Sequence, residues 1–418
     1  MKKVLTSLFV MVFLFTMVAC DINLNSPEII AAKNEKYGFI DLNGNVVIPL
    51  EYDQIEGFYS NGMAIVKKNN KYGLINKKNQ VEINIEYEDY RSFYFSLDTI
   101  CLKKDSKWGV LDISGKELIP FDYDDFKYDV YQNYLIAQKD GKWGVVNHAN
   151  EVVIPFLFQD ILPQTERLFA VKFNDKYGFV ESGLNSVDEF EIDYEYDNVK
   201  PFFGGLAPVK KESKWGFINK QNQIEIDFIY DDVNMFIDGY AIVLENNKWG
   251  VIDTKGKIIL DLIYDKIEYR HKNEVIIYKA DEAAYASSQF KIFFNETFDL
   301  GISEIGDFSN FGLASVKKNN KYGFITKFGD LKIDFIFDGV KYTQEDNIIA
   351  VLEDGFWGLN DMKNEVLISS QYDDIVIVND DYIIIKRDNK YGLADRYDSR
   401  ITKFEFDVLT IFDEKTFK

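Results

Sequence analysis

The side chains that could do chemistry are unevenly supplied. Acids are plentiful: 69 Asp and Glu stand against 48 Lys and Arg, for a formal net charge of −21. Two carboxylates flanking a sugar bond could hydrolyse it, so glycoside hydrolysis is the first chemistry to consider. These carboxylates recur at fixed offsets along the chain, however, whereas a catalytic pair is normally unique. Histidine contributes only His148 and His271, and cysteine only Cys20 and Cys101. Two cysteines support neither a disulfide framework nor a multi-cysteine zinc or iron–sulfur site. Asp41-Leu42-Asn43-Gly44-Asn45 has the look of a calcium loop, but its glycine is fourth instead of sixth and Tyr52 stands where a bidentate Glu belongs. A hairpin turn is the better expectation there. No G-x-S-x-G, phosphate-binding loop or H-E-x-x-H is present. The expectation is therefore no catalytic residue, no cofactor, no metal and no enzyme activity. The acidic balance also argues against nucleic acid, whose phosphates need clustered Lys and Arg.

The first twenty residues read as an export signal. Lys2 and Lys3 precede a 15-residue, mostly apolar stretch from Val4 to Val18, too short to span a bilayer comfortably. It ends in Met17-Val18-Ala19-Cys20, which resembles the lipobox of bacterial lipoproteins. That resemblance implies cleavage after Ala19 and lipid attached to Cys20. Residues 1–19 are then a signal peptide and 20–29 a lipidated tether, and acyl chains alone can hold such a protein on a membrane. The implied location is the bacterial cell envelope, outside the cytoplasm. Cys101 is left without an intramolecular partner; in the run Thr99-Ile100-Cys101-Leu102 it reads as a buried, inert thiol.

Beyond the tether one unit repeats. A Lys-aromatic-Gly tripeptide centres on Tyr37, Tyr72, Trp108, Trp143, Tyr177, Trp215, Trp249, Tyr322 and Tyr391, with Phe replacing Lys before Trp357. The glycines are spaced by 35, 36, 35, 34, 38, 34, 73, 35 and 34 residues. The 73-residue gap holds two periods, with Tyr285-Ala286 near its midpoint, which makes eleven units. Fourteen residues after most of the glycines comes an aromatic followed by an acid, as in Tyr52-Asp53, Tyr123-Asp124 and Tyr230-Asp231. This double pattern resembles the WG-repeat (KWG) family of secreted and lipid-anchored bacterial proteins. The resemblance covers roughly residues 30–412. It implies all-β repeats and carries no assigned catalytic residue.

The elements that must position these residues can be read from one unit. Six residues after the motif glycine stands Gly or Asn, such as Gly44, Asn79, Gly115 or Asn150, the types that tolerate the positive φ of a hairpin turn. A β-branched run follows, as in Val46-Val47-Ile48. Pro49, Pro120 and Pro155 share a position where a strand must end or bulge. No segment holds a 3.6-residue period. Each unit of about 35 residues is thus expected to form three strands, with the motif aromatic packed between neighbouring units and the glycine allowing close backbone approach. The Asp after the second aromatic is expected to bond turn amides or pair with the motif Lys.

An open solenoid or superhelix is expected for the stack, since it needs neighbour contacts only. The alternative is a closed, propeller-like ring, which would require eleven blades where 4–8 are usual. The array divides into a first block (30–271), a degenerate repeat (272–305) and a second block (306–418). The expected function is a membrane-anchored scaffold for protein partners. The alternative is a cell-wall or glycan binder whose exposed rings stack on sugars. These readings part on one point, the solvent accessibility of the motif aromatics.

Overall fold

The computed structural model describes residues 29–91, 98–127, 134–183, 190–270, 274–295, 299–343 and 347–411. Cys20, Ala19, the rest of the expected signal peptide and tether up to residue 28, and His271 lie outside these residues. What is described is all-β, with no helix.

The first two repeats show how the blades are built. Strands β1 (Ile29–Lys33), β2 (Lys36–Ile40) and β3 (Val46–Tyr52) form an antiparallel meander. A two-residue strand, β4 (Gln54–Ile55), then leads into β5 (Met63–Lys68), β6 (Lys71–Asn76) and β7 (Val81–Tyr87), and these four pair in sequence order. The expectation of three strands per unit is therefore corrected to four. The fourth is so short that it carries no periodicity, and it comes from the end of the preceding repeat. Ten of the eleven sheets have four strands and one, built on 374–395, has three. Alongside that last sheet the place of an outer strand is taken by single bridges from Tyr391 to Phe406 and from Ala394 to Arg400.

The open solenoid expected above is also corrected. The last described strand, Val408–Ile411, returns to pair antiparallel with β1, with Ala31 opposite Leu409, and supplies the first strand of blade 1. The chain thus closes into an eleven-bladed, propeller-like ring. The physical reason lies in the seams. The buried apolar residues fall into eleven clusters, and each cluster is built from two successive blades. One of them joins Ile29, Ala31 and Ile40 of blade 1 to Ile384, Leu393 and Phe406 of blade 11. Left open, the stack would expose that seam and the free edge of β1 together, an edge ready to pair with another chain.

Burial explains the strand patterns. Ala64-Ile65-Val66 on β5 and Gly73-Leu74-Ile75 on β6 are buried without alternation, because both faces of these inner strands meet a neighbouring blade. The outer strands are half-exposed. A bulge interrupts their pairing: Tyr37 faces Tyr52 and Phe39 faces Ile48, so Pro49 sits within a register shift. The motif glycine lies under that bulge. A Cβ on Gly38 would stand 2.4 Å from the Ile48 carbonyl oxygen, and one on Gly216 would stand 2.7 Å from that of Ile226. The turn residues have the positive φ expected of them, 81° at Gly44 and 60° at Asn79. Asn79 does more than tolerate the turn: its side-chain oxygen accepts the Tyr52 hydroxyl of the previous blade at 2.7 Å, as Asn150 does for Tyr123 at 2.6 Å.

The degenerate repeat forms a full eighth blade on strands 266–270, 274–279, 282–287 and 292–294. Strand register shifts its motif by two residues from the sequence midpoint. Ile277 faces Ala284 as Val243 faces Gly250, so Ala283-Ala284 replaces the aromatic-glycine pair and Tyr285 occupies the position of Val251. With a Cβ at 284, the outer strand stops at Phe294 without crossing that residue.

Candidate functional site: the joints between blades

The recurring acid and the motif Lys meet at seven of the joints among the described residues. In blade 3, Lys107 begins the third strand and Asp124 follows the outer one. One carboxylate oxygen of Asp124 accepts from Lys107 Nζ at 2.5 Å, and the other accepts the amide of Gly141, in a turn of blade 4, at 3.1 Å. Asp231 repeats this with Lys214 (2.6 Å) and the Asn246 amide (2.8 Å). The backbone adds a bond, from the Asp124 amide to Gln138 O at 2.8 Å. Both expected roles of this Asp are thus filled at once, by its two oxygens, and the residue clips one blade to the next.

The exceptions rank the two halves of the clip. Gln159 replaces Asp in blade 4 and still accepts the Asp175 amide, at 2.8 Å. Asp373 has Phe356 where the Lys would be, and still accepts the Asp388 amide at 2.8 Å. The amide bond survives each loss, so it is the part the joint requires. The paired lysine lowers the pKa of Asp53, Asp124, Asp197, Asp231, Asp265, Asp338 and Asp407 below the ordinary carboxylate range.

The motif aromatics line the same seams. Trp108, Trp143 and Trp215 are only 4%, 8% and 5% exposed. Trp215 belongs to a cluster with Val233, Phe236 and Ala241 of blade 7. Trp249, Trp357, Tyr37, Tyr72, Tyr177, Tyr322 and Tyr391 are half-buried. The structure also reveals a second ionic belt that the sequence reading missed. Arg91, Lys127, Lys200 and Lys341, each beside the first strand of its blade, lie 4.4, 4.2, 5.2 and 4.2 Å from the ring centroids of Trp108, Trp143, Trp215 and Trp357. Each then reaches an Asp of the next blade: Asp125, Asp160, Asp232 or Asp374. The legible half of this signal was a further acid directly after the clip position, as in Asp124-Asp125 and Asp231-Asp232.

The remaining candidates have local roles. Asp41 closes its own turn, accepting the amides of Asn43 (2.9 Å) and Asn45 (2.8 Å). Among the described residues, no three His, Cys, Asp or Glu side chains converge as metal ligands would. Cys101 is fully buried, and burial pushes its thiol pKa well above the ordinary value. His148 is exposed on a turn of blade 4.

Tandem four-stranded blades closed by their own termini define the chain as a repeat-built β-propeller. It belongs to the WG-repeat family: segments 37–72, 72–108, 108–143, 143–177, 188–215, 215–249, 249–281, 295–322, 322–355 and 357–391 match the family described as "WG containing repeat". Residues 282–294, which hold Ala283 and Ala284, are skipped by that match. No curated protein matches the chain. Among solved structures, a eukaryotic initiation factor is similar at 9% identity over 92% of this chain and 96% of its own, with a TM-score of 0.44. PorZ, a surface component of the type-IX secretion system of Porphyromonas gingivalis, is similar at 10% identity over 88% and 63%, with a TM-score of 0.25. The extracellular domain of a hybrid two-component system from B. thetaiotaomicron is similar at 8% identity over 92% and 71%, with a TM-score of 0.24.

Proposed function

We propose that this WG-repeat ring is a non-enzymatic scaffold that holds protein partners, anchored to a membrane of the bacterial cell envelope by lipid on Cys20. One observation carries the scaffold reading. Seven of the repeated carboxylates, and the buried Trp108, Trp143 and Trp215, which are among the side chains best able to act on or grip a sugar, are occupied by the joints between blades. What remains for recognition is the loop-bearing surface of a rigid ring. The lipobox-like Met17-Val18-Ala19-Cys20 supports the anchor. The test is crosslinking and pull-down of the acylated protein from its own membranes. Recovery of a stoichiometric protein partner supports the scaffold, and recovery of none under several conditions overturns it.

Glycan binding is the second reading, and Trp249 favours it. Four of the five tryptophans have a cation from the first strand of their blade over the ring; at the corresponding place in blade 7 stands Asn234, and among the described residues no cation covers Trp249. A half-buried indole of this kind can stack on a sugar. Titration of the protein with peptidoglycan fragments, followed by tryptophan emission, tests it: a shift abolished in Trp249→Phe supports glycan binding, and no shift sinks it.

A further inference from the structure

The two faces of the ring differ in how they meet solvent. Among the described residues, the turns between second and third strands open on one face, where the Asp clips lie. The described turns between third and outer strands, and the described loops leading into second strands, open on the other. β1 begins on this other face at Ile29, and the closing strand ends there at Ile411.

That second face is apolar at its tips. Phe328 and Tyr397, on the third-to-outer turns of blades 9 and 11, are 68% and 69% exposed. Phe203 and Phe311 stand exposed in the loops of blades 6 and 9. The perimeter adds the first residues of outer strands, Val366 at 64% exposure among them. Among the described residues, 13 of the 21 large exposed apolar side chains belong to these turns and loops or begin an outer strand. Cations accompany them. Lys327 Nζ lies 5.1 Å from the Phe328 ring centroid and Arg396 Cζ 5.7 Å from that of Tyr397, while Lys78, Lys255 and Lys363 stand exposed on matching turns. The acids there are partly engaged: Asp41, Asp253 and Asp361 each accept amides of their own turns.

We propose that this face lies against the bilayer that holds the Cys20 lipid, with Phe203, Phe311, Phe328 and Tyr397 in the headgroup layer. The inference rests on the reading of Cys20 as acylated. Nine residue steps lead from Cys20 to Ile29, so the start of β1 stands at most about 30 Å from the anchor. The face that carries the chain's entry point is thus the one brought to the membrane. Aromatic tips paired with long cationic stems suit that layer, rings at the acyl boundary and ammonium groups at the phosphates. A phospholipid surface is the occupant that the tether specifies; a protein or a second ring would need no such coincidence of apolar tips with the point of anchorage.

The test uses the acylated, full-length protein in vesicles of phosphatidylethanolamine and phosphatidylglycerol. A spin label is placed at Phe328→Cys, at Tyr397→Cys or, on the opposite face, at Ser213→Cys; buried Cys101 does not compete for the label. The expected result is that labels at 328 and 397 collide several-fold more with oxygen than with a water-soluble nickel chelate, and that 213 shows the reverse. Equal access of the chelate to all three sites overturns the proposal. So does dipolar broadening between labels at 328 that persists in detergent, which would assign the face to a second copy. Mass spectrometry of the N-terminal peptide separates the two claims: an unmodified Cys20 removes the anchor and this inference with it, while an acylated Cys20 with a water-exposed 328 removes this inference alone.

Discussion

The carboxylate of Asp407 accepts the backbone amide of Asn34 at 2.8 Å across 373 residues of sequence. The other oxygen of Asp407 takes Lys390, and the Asp407 amide donates to Ala32 O at 2.8 Å. The first and last described blades are therefore joined by the same clip that Asp124 and Asp231 make at internal joints. Cutting it should open the ring. Asp407→Ala is expected to lower the unfolding midpoint more than Asp231→Ala, because the internal joint is also tied by a continuous chain and the terminal joint is not. Thermal melts of the two variants check this; equal shifts would mean that closure contributes little.

At the internal joint the two halves of the clip can be separated. Asp231→Asn keeps an oxygen for the Asn246 amide and weakens only the pairing with Lys214. It should lower the melting temperature less than Asp231→Ala. An unchanged melt in Asp231→Asn would leave the charge without a structural role at that position.

Acid should loosen the seven Lys–Asp joints together. The clip aspartates have folded-state pKa values below the ordinary 3.8. Unfolding therefore takes up protons at low pH, and stability is fully present above about pH 4–5 and lost as pH falls through the depressed folded values. At the alkaline end, burial raises Tyr269, Tyr285 and Tyr372 to about 12, so their contribution is complete below pH 10 and fades above it. A melting temperature that is flat from pH 5 to 9 and drops on both sides is the expected profile. A steady decline beginning at pH 7 would contradict it.

Two glycines distinguish crowding from backbone strain. Gly216→Ala places a Cβ 2.7 Å from Ile226 O and should cost about 1–3 kcal/mol, as overpacking does. Gly62 has a φ of 80° and open space around its Cβ position, so Gly62→Ala should cost only about 1 kcal/mol, the strain of a left-handed residue. Urea unfolding of both variants measures the difference.

Tryptophan accessibility sorts the seams. Trp215→Ala should cost about 3–5 kcal/mol, the range for a buried large-to-small change. Among single-tryptophan variants, one retaining Trp215 should resist acrylamide and one retaining Trp249 should be quenched more readily. Equal quenching would remove the distinction between a sealed and an open ring.

Much of this architecture is written in the spacing. The repeat length, the eleven units, the turn positions at Gly44 and Asn79 and the pairing of Asp231 with Lys214 all follow from offsets that recur. Three features do not. Gln54–Ile55 is too short to carry a pattern, so the fourth strand was invisible, and with it the fact that blades straddle repeats. Closure depends on Leu409 facing Ala31, a contact between chain ends that no local period encodes. Arg91 and Lys127 precede their tryptophans by 17 and 16 residues, and this uneven spacing across loops of different length hid the belt they form. The degenerate motif was misplaced by two residues because Tyr285 resembles a motif aromatic while the register sets Ala283 in that place.

The closing strand also sets a timetable. Ribosomes deliver residues in order, so blade 1 must wait, with one flank of β1 unsatisfied, until Val408–Ile411 arrives. Ten joints can form as the chain emerges, and the eleventh forms only once that strand is made. A prematurely terminated product would therefore be a coil of finished blades with an adhesive first edge, the kind of molecule that quality-control proteases and chaperones are best placed to meet.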